Sequence, residues 1–219
     1  MTQDIKALVF DMDGVLLDSE TVCDEIWKQL AEEMGLPDIQ AAIDENRGCN
    51  VDLMAEQLTA RYGEGFDKPK FFGDFSVRFR EWEDTKGIPL MPAARETLDY
   101  LKQKGYRLAL ATSTGRQTAV RQLKAVGVFE YFEACVFGDE IERSKPAPDI
   151  YQKAAALLGL APKNCAAIED SPNGIKSAAA AGLVPIMVPD RIQPSDEIKA
   201  LCFKIAKPLS FLRDFSGHT

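Results

Sequence analysis

Apolar positions change their period several times along the chain, and each change predicts an element. Ile5 to Phe10 is a short apolar run around Ala7, Leu8 and Val9. It is too short for a helix and apolar enough to be covered on both faces, so it reads as a buried strand. From Glu20 to Met34 the period becomes helical, with Ile26, Trp27, Leu30 and Met34 in step. Ser19 is placed to cap that helix, and Gly35 with Pro37 to close it. Residues 38–46 and 51–62 read as two further helices, split by Asn46-Arg47-Gly48-Cys49-Asn50. Residues 68–86 read as a fourth, with Phe72, Phe75, Phe79 and Trp82 on one side. Such a stripe is expected to be core. Between 19 and 87 no run alternates as a strand does.

At Ile88-Pro89-Leu90-Met91-Pro92 the character changes, and Pro92 suits a helix's first turn. Strands are predicted at Arg107 to Ala111, Ala134 to Phe137, Cys165 to Ile168 and Val184 to Val188. Helices are predicted at 93–104, 116–126, 149–158 and 172–181, with one or two short ones in the tail, including 208–214. Alternation of this kind implies an α/β fold: a doubly wound parallel sheet, Rossmann-like, with helices on both faces. A small all-helical cap domain, residues 19–87, is inserted after the first strand; residues 1–18 and 88–219 form the core. Right-handed crossovers bring every strand's C-terminus to one edge. The insertion leaves the chain just after the first strand, so it is expected above that edge.

Composition narrows the chemistry. The 219 residues suffice for one good core and a smaller second unit. A net charge of −8 argues against nucleic acid or an anionic membrane as partner. Five cysteines, Cys23, Cys49, Cys135, Cys165 and Cys202, are widely spaced without a Cys-x-x-Cys pair. With a single histidine, His218, in a polar tail, neither a zinc site nor a Ser-His-Asp or Cys-His mechanism is expected. Proton transfer then falls to carboxylates, Lys or Tyr. Reduced thiols and a start without a signal-peptide pattern point to the cytoplasm.

Four polar clusters fall at or after predicted strand ends. Asp11 and Asp13 leave the first strand on the same side, because side chains at i and i+2 of an extended chain share a face. Two such carboxylates call for a divalent cation or a shared proton. Gly14 then lets the backbone turn closely. Thr112 and Ser113 follow the second strand, Lys145 lies in the loop after the third, and Glu169 and Asp170 end the fourth. Taken singly, each has a plain reading: a strand-end acidic turn, a helix cap, a solvated loop charge, an N-cap cluster.

Together the clusters resemble the four motifs of the haloacid dehalogenase superfamily of phosphotransferases. Phe10-Asp11-Met12-Asp13-Gly14-Val15 is similar to the first, Ala111-Thr112-Ser113 to the second, and Ser144-Lys145-Pro146-Ala147-Pro148-Asp149 to the third. Ile168-Glu169-Asp170-Ser171-Pro172-Asn173-Gly174 is similar to the fourth. The resemblance covers essentially the whole chain, and the group it points to is the β-phosphoglucomutase-like phosphatases with a small helical cap.

The resemblance implies a Mg²⁺-dependent phosphatase of a small phosphorylated metabolite, a sugar phosphate first, working as a monomer through an aspartyl-phosphate. Asp11 would be the nucleophile and Asp13 the acid and base. Thr112 and Ser113 would hold the phosphoryl group, and Lys145 would neutralise charge. Asp11, Asp13 through its backbone carbonyl, Glu169 and Asp170 would hold the metal. In the cap, helix 20–34 and the loop at 47–50 would select the substrate, with Glu20, Cys23, Asp24, Trp27, Arg47, Gly48 and Asn50 as candidate contacts. Trp27 is read first as a core residue of the cap. Hinges are expected near Asp18 and Gly87. The dehalogenases lack the second carboxylate, which Asp13 supplies here. Phosphonatases use a cap lysine, and Lys28 does not match its register. The β-phosphoglucomutases carry a cap His, whose place falls on Cys23, and a cap-loop Arg, whose place falls near Val51 with Arg47 close by. Hydrolysis is therefore expected over the mutase alternative; a non-catalytic metal- or phosphate-binding scaffold is the remaining one.

Overall fold

The structure, a computed structural model, describes residues 4–47 and 51–214. The chain divides into two compact units, Met1–Asp18 with Pro89–Thr219, and Ser19–Ile88.

The first unit is built on a six-stranded sheet of order β3-β2-β1-β4-β5-β6. Its strands are β1 (Ala7–Phe10), β2 (Arg107–Ala111), β3 (Ala134–Val136), β4 (Cys165–Glu169), β5 (Val184–Met187) and β6 (Lys204–Ile205). All pairings are parallel; Phe10 stands opposite Leu110 on one side and Ile168 on the other. The helices are α5 (Ala94–Gln103), α6 (Arg116–Ala125), α7 (Asp149–Leu157), α8 (Pro172–Ala180) and α9 (Asp196–Leu201). From β1 the chain winds outward to β3, then returns to β4 on the other side of β1. The reversal leaves a crevice outside the C-terminal ends of β1 and β4, where doubly wound sheets bind ligands.

Every residue of β1 is buried, as a central parallel strand requires. One face presents Ala7, Val9, Ala109, Ala111 and Ala167 to Ile150, Tyr151 and Ala154 of α7 and Ala178 of α8. Small strand side chains there leave room for helices. The opposite face carries the larger Leu8, Phe10, Leu108, Leu110 and Ile168, also buried. Both tail helices expected from the sequence are present: α9, and Leu209–Asp214 as a 3-10 segment. The two-residue edge strand β6 was not expected, and Val184 to Val188 is not the last strand. Its half-exposed Phe203-Lys204-Ile205 lacks the buried apolar run that marks the other strands. Pro92 lies ahead of α5 rather than in its first turn, because Ala93 takes a left-handed conformation (φ 63°) before Ala94 starts the helix.

The second unit holds α1 (Ser19–Met34), α2 (Ile39–Asn46), α3 (Val51–Tyr62) and α4 (Lys68–Thr85). Ser19 is the first residue of its helix rather than the residue before it. Val22, Ile26, Trp27 and Leu30 of α1 are buried with Ile43, Leu58, Phe66 and Phe71. The stripe Phe72, Phe75, Phe79 and Trp82 is only half-buried, against expectation. Phe71 is the residue of α4 that enters the core. It meets Trp27 edge-on at 5.2 Å and Phe66 at 5.5 Å between ring centroids, and three rings around one position hold α4 rotated past the sequence stripe.

Phe71→Ala leaves a ring-sized hole among those aromatics. It is expected to destabilise the helical unit by about 3–5 kcal/mol. Urea titration read by tryptophan fluorescence checks this; a loss below about 1 kcal/mol would show that the ring is not a core element.

Candidate active site

The polar clusters read from the sequence meet at the C-terminal edge of the sheet in the first unit. Asp11 follows β1, and its backbone N–H still donates to Ile168 O of β4 at 2.9 Å. Lys145 lies in the loop between β3 and α7, with its side chain only 8% exposed. Its ammonium has three N–H groups, and each finds an acceptor. Nζ donates to Asp11 Oδ1 at 2.6 Å, to Glu169 Oε1 at 2.6 Å and to the Ala111 carbonyl at 3.0 Å. One side chain thus ties the ends of β1, β4 and β2, which are neighbours in the sheet.

Glu169 is fully buried, and the chain itself saturates its oxygens. Oε1 accepts from Lys145 and from the Tyr151 hydroxyl at 3.0 Å. Oε2 accepts from Asp170 N, Ser171 N and Ser171 Oγ, at 3.1, 3.1 and 3.0 Å. The Ser171 hydroxyl also caps α8 by accepting from Gly174 N at 3.0 Å. Gly174 has to be glycine, because a Cβ there would overlap the Glu169 carboxylate. Gly14 is constrained likewise: it sits at φ 74°, and a Cβ would fall on Asp170 Oδ2.

Asp13 has a hydrogen-bond partner of its own. Its Oδ2 accepts from Thr114 Oγ1 at 2.9 Å. Thr112 is buried, and its Oγ1 accepts from Thr114 N at 3.0 Å, which leaves the hydroxyl hydrogen to donate. Thr112 therefore does not cap α6; the Asp139 carboxylate does, accepting from Arg116 N at 3.1 Å. Ser113 is exposed beside it. Glu20 and Arg47 belong to the helical unit, where they face each other at 3.6 Å. Gly48 and Asn50 lie outside the described residues.

The electrostatics are those of a crowded acidic pocket with one cation. Burial pushes Asp11 up; Lys145 pulls it down, while Glu169 and Asp13 push further, leaving it at about 7. Burial also opposes ionised Glu169, yet Lys145 and the Ser171 donors outweigh it and hold its pKa below the ordinary value. For Lys145 burial works against the charge, and the two carboxylates more than restore it, raising its pKa.

Asp11, Glu169 and Asp170 offer carboxylate oxygens within 4.8 Å of one another. Hard oxygen donors in this number suit Mg²⁺. The fit is best for Asp11 and Asp170, because ligation by Glu169 costs it one of five donors. A divalent cation beside Asp11 would return that carboxylate to its ionised form.

Two residues that the sequence reading passed over belong to this cluster. Thr114 lies within the polar run after β2, where the resemblance assigns roles only to Thr112 and Ser113. Tyr151 occupies a core position of α7, and only its phenol hints at a partner, since a buried hydroxyl needs one.

The model of haloacid dehalogenase-like hydrolases matches residues 5–182. The chain belongs to this family. Among the family's members, a phosphorylated carbohydrates phosphatase from Thermotoga maritima is 31% identical over 188 residues, 82% of each chain. Hexitol phosphatase A from Escherichia coli is 32% identical over 189 residues, 84% of this chain and 82% of its own. A solved haloacid dehalogenase family hydrolase from Deinococcus radiodurans, with phosphate and sodium bound, superimposes with a TM-score of 0.81 at 27% identity. That likeness covers 96% of this chain and 94% of the other.

Lys145→Met leaves two buried carboxylates without their cation. The expected cost is about 3–5 kcal/mol. It depends on pH with a definite sign. Without Lys145, burial raises the folded pKa values of Asp11 and Glu169 above their unfolded ones, so stability falls as pH rises through them. Urea denaturation of the variant at pH 5 and pH 8 is expected to show the larger deficit at pH 8; an equal deficit at both would refute the charge argument.

Proposed function

We propose that the chain is a Mg²⁺-dependent phosphatase that hydrolyses a small phosphorylated carbohydrate through an aspartyl-phosphate on Asp11. The observation that carries this reading is the Lys145 ammonium held at 2.6 Å from both Asp11 and Glu169, at the edge where β1 and β4 part. It positions a nucleophile and keeps a positive charge beside it. The relatives that act on phosphorylated carbohydrates and hexitol phosphates supply the substrate class.

In the first step an Asp11 carboxylate oxygen attacks phosphorus, and the bond from phosphorus to the ester oxygen breaks. The proton on Asp13 goes to the departing alkoxide. In the second step Asp13, now a carboxylate, takes a proton from water as the water oxygen attacks the phosphoryl group. The bond from phosphorus to Asp11 breaks, releasing inorganic phosphate and restoring both residues. Thr114 orients Asp13 through its hydrogen bond. The Thr112 hydroxyl and the Ser113 amide hold the phosphoryl oxygens. Lys145 contributes charge rather than a contact to phosphate, since its three N–H groups are already engaged. Glu169 positions Lys145. Mg²⁺, held by Asp11, Asp170 and the Asp13 carbonyl, would screen the charge between the incoming phosphate and these carboxylates.

Phosphate release from a panel of sugar, hexitol and glycerol phosphates tests the proposal. Turnover is expected with Mg²⁺ and not with chelator. Asp11→Asn is expected to lower kcat by about 10³-fold or more while the protein remains folded. Near-normal turnover by that variant overturns the mechanism. Conversion of β-glucose 1-phosphate to glucose 6-phosphate with little free phosphate would identify a mutase instead.

A further inference from the structure

The turn Thr112-Ser113-Thr114-Gly115 leads from β2 into α6. It carries three groups that the proposed chemistry uses: the Thr112 hydroxyl, the Ser113 amide and the Thr114 hydroxyl that donates to Asp13 Oδ2. Within the turn, Thr114 N donates to Thr112 Oγ1 at 3.0 Å. At its start, Thr112 N donates to Val136 O of β3 at 3.1 Å.

The segment that follows β3 grips this turn from outside. Gly138 N donates to the Thr114 carbonyl at 3.1 Å. Gly138 also lies directly against Ser113. A Cβ built on it would fall 1.9 Å from the Ser113 carbonyl oxygen, 2.6 Å from the carbonyl carbon and 3.2 Å from Ser113 Cα. All three are backbone atoms, so no side-chain rotation relieves the overlap. Gly138 does not have a positive φ, so space rather than backbone freedom demands glycine here. Asp139 holds the far end: its Oδ1 and Oδ2 accept from Arg116 N at 3.1 and 3.2 Å. Glu140 Oε1 accepts from Arg116 Nε at 2.6 Å, and the Arg116 guanidinium lies 4.4 Å above the Phe137 ring.

We propose that Gly138 and Asp139 are positioning residues for phosphoryl transfer, holding the 112–115 turn in the one shape that serves Thr112, Ser113 and Thr114 together. This rests on the phosphatase reading above and extends it to two residues that touch none of the reacting atoms. The link is covalent. The Ser113 carbonyl and the Thr114 N–H belong to one planar peptide unit. A side chain at 138 pushes that carbonyl away, and the same plane carries the Thr114 N–H off Thr112 Oγ1. The Thr112 hydroxyl then loses its orientation toward the phosphoryl group, and the Thr114 hydroxyl its hold on Asp13. A displacement of about 1 Å is enough to cost about 10²-fold in rate.

Gly138→Ala is the first test, with kcat/KM measured on two esters in the presence of Mg²⁺. One is p-nitrophenyl phosphate, whose phenolate departs without a proton. The other is the sugar or hexitol phosphate that the unmodified protein turns over best, whose alkoxide needs the proton of Asp13. The loss is expected to be about 10²-fold for the sugar or hexitol ester and about tenfold for the nitrophenyl ester. Calorimetry with inorganic phosphate and Mg²⁺ is expected to show about tenfold weaker binding by the variant. Asp139→Ala is expected to give the same ordering of the two esters. Asp139→Asn, which keeps an oxygen for Arg116 N, is expected to recover most of that loss. A merely structural role would lower both esters alike, in step with the folded fraction. An equal loss on the two esters, unchanged phosphate affinity in Gly138→Ala, or no recovery in Asp139→Asn overturns the proposal. If Gly138→Ala does not fold, the two Asp139 variants decide. If the unmodified protein hydrolyses neither ester, the phosphatase reading fails, and phosphate affinity with and without the added methyl still judges the positioning.

Discussion

The buried ammonium of Lys145 is the interaction on which this structure depends. It is held by a carboxylate after β1, a carbonyl at the end of β2 and a carboxylate at the end of β4. Each ion there is costly to bury: desolvation takes several kcal/mol per charge, and mutual attraction repays it only when geometry is good and the remaining donors and acceptors are satisfied. Here the satisfaction is complete on the cation, whose three N–H groups all donate. It is complete on Glu169, which receives five donors. Asp11 is the one member left under strain of charge, and burial raises its pKa accordingly.

The surrounding backbone is shaped to permit that cluster. Gly174 gives Glu169 room inside the first turn of α8, and Gly14 gives Asp170 room against the turn after β1. Both glycines are close-approach positions, so their substitution would act through a carboxylate rather than through backbone entropy alone. The cluster also explains why Tyr151 sits in an otherwise apolar helix face packed on Ala7, Val9 and Ala167. Its ring fills the core, and its hydroxyl finds the only kind of partner that makes burial tolerable.

Much of this was legible in the sequence because parallel strands buried on both faces are short apolar runs, and their polar ends stand out. β1, β2 and β4 could be read that way, with Asp11, Thr112 and Glu169 at or just beyond their ends. The edge strand β6 could not: two residues, half-exposed, carry no periodic signal, and their pairing to β5 is a tertiary fact. Phe71 was hidden for a related reason. Helical spacing identifies a stripe but not the rotation at which a helix docks, and here the Trp27 and Phe66 rings set it. Nor could spacing reveal that Asp13 turns to Thr114, or that Glu169 is consumed by donors. Those outcomes depend on which neighbours arrive with hydrogens to give, and the neighbours come from distant parts of the chain.

The same imbalance of charge recurs in both units and has opposite consequences. In the first unit Asp11 and Glu169 meet on Lys145, and Asp11, Glu169 and Asp170 bring oxygens within reach of one point. Excess negative charge with converging hard donors recruits a divalent cation, and a divalent cation makes a phosphate welcome. In the second unit Glu20, Asp24 and Asp44 gather around Arg47, but there the carboxylates converge on the guanidinium itself. A chain of net charge −8 that handles an anionic substrate has to place its attraction locally. The first unit has the donors for that attraction; in the second, the one basic side chain among the described lining residues of its cavity, Arg47, is already paired with Asp24.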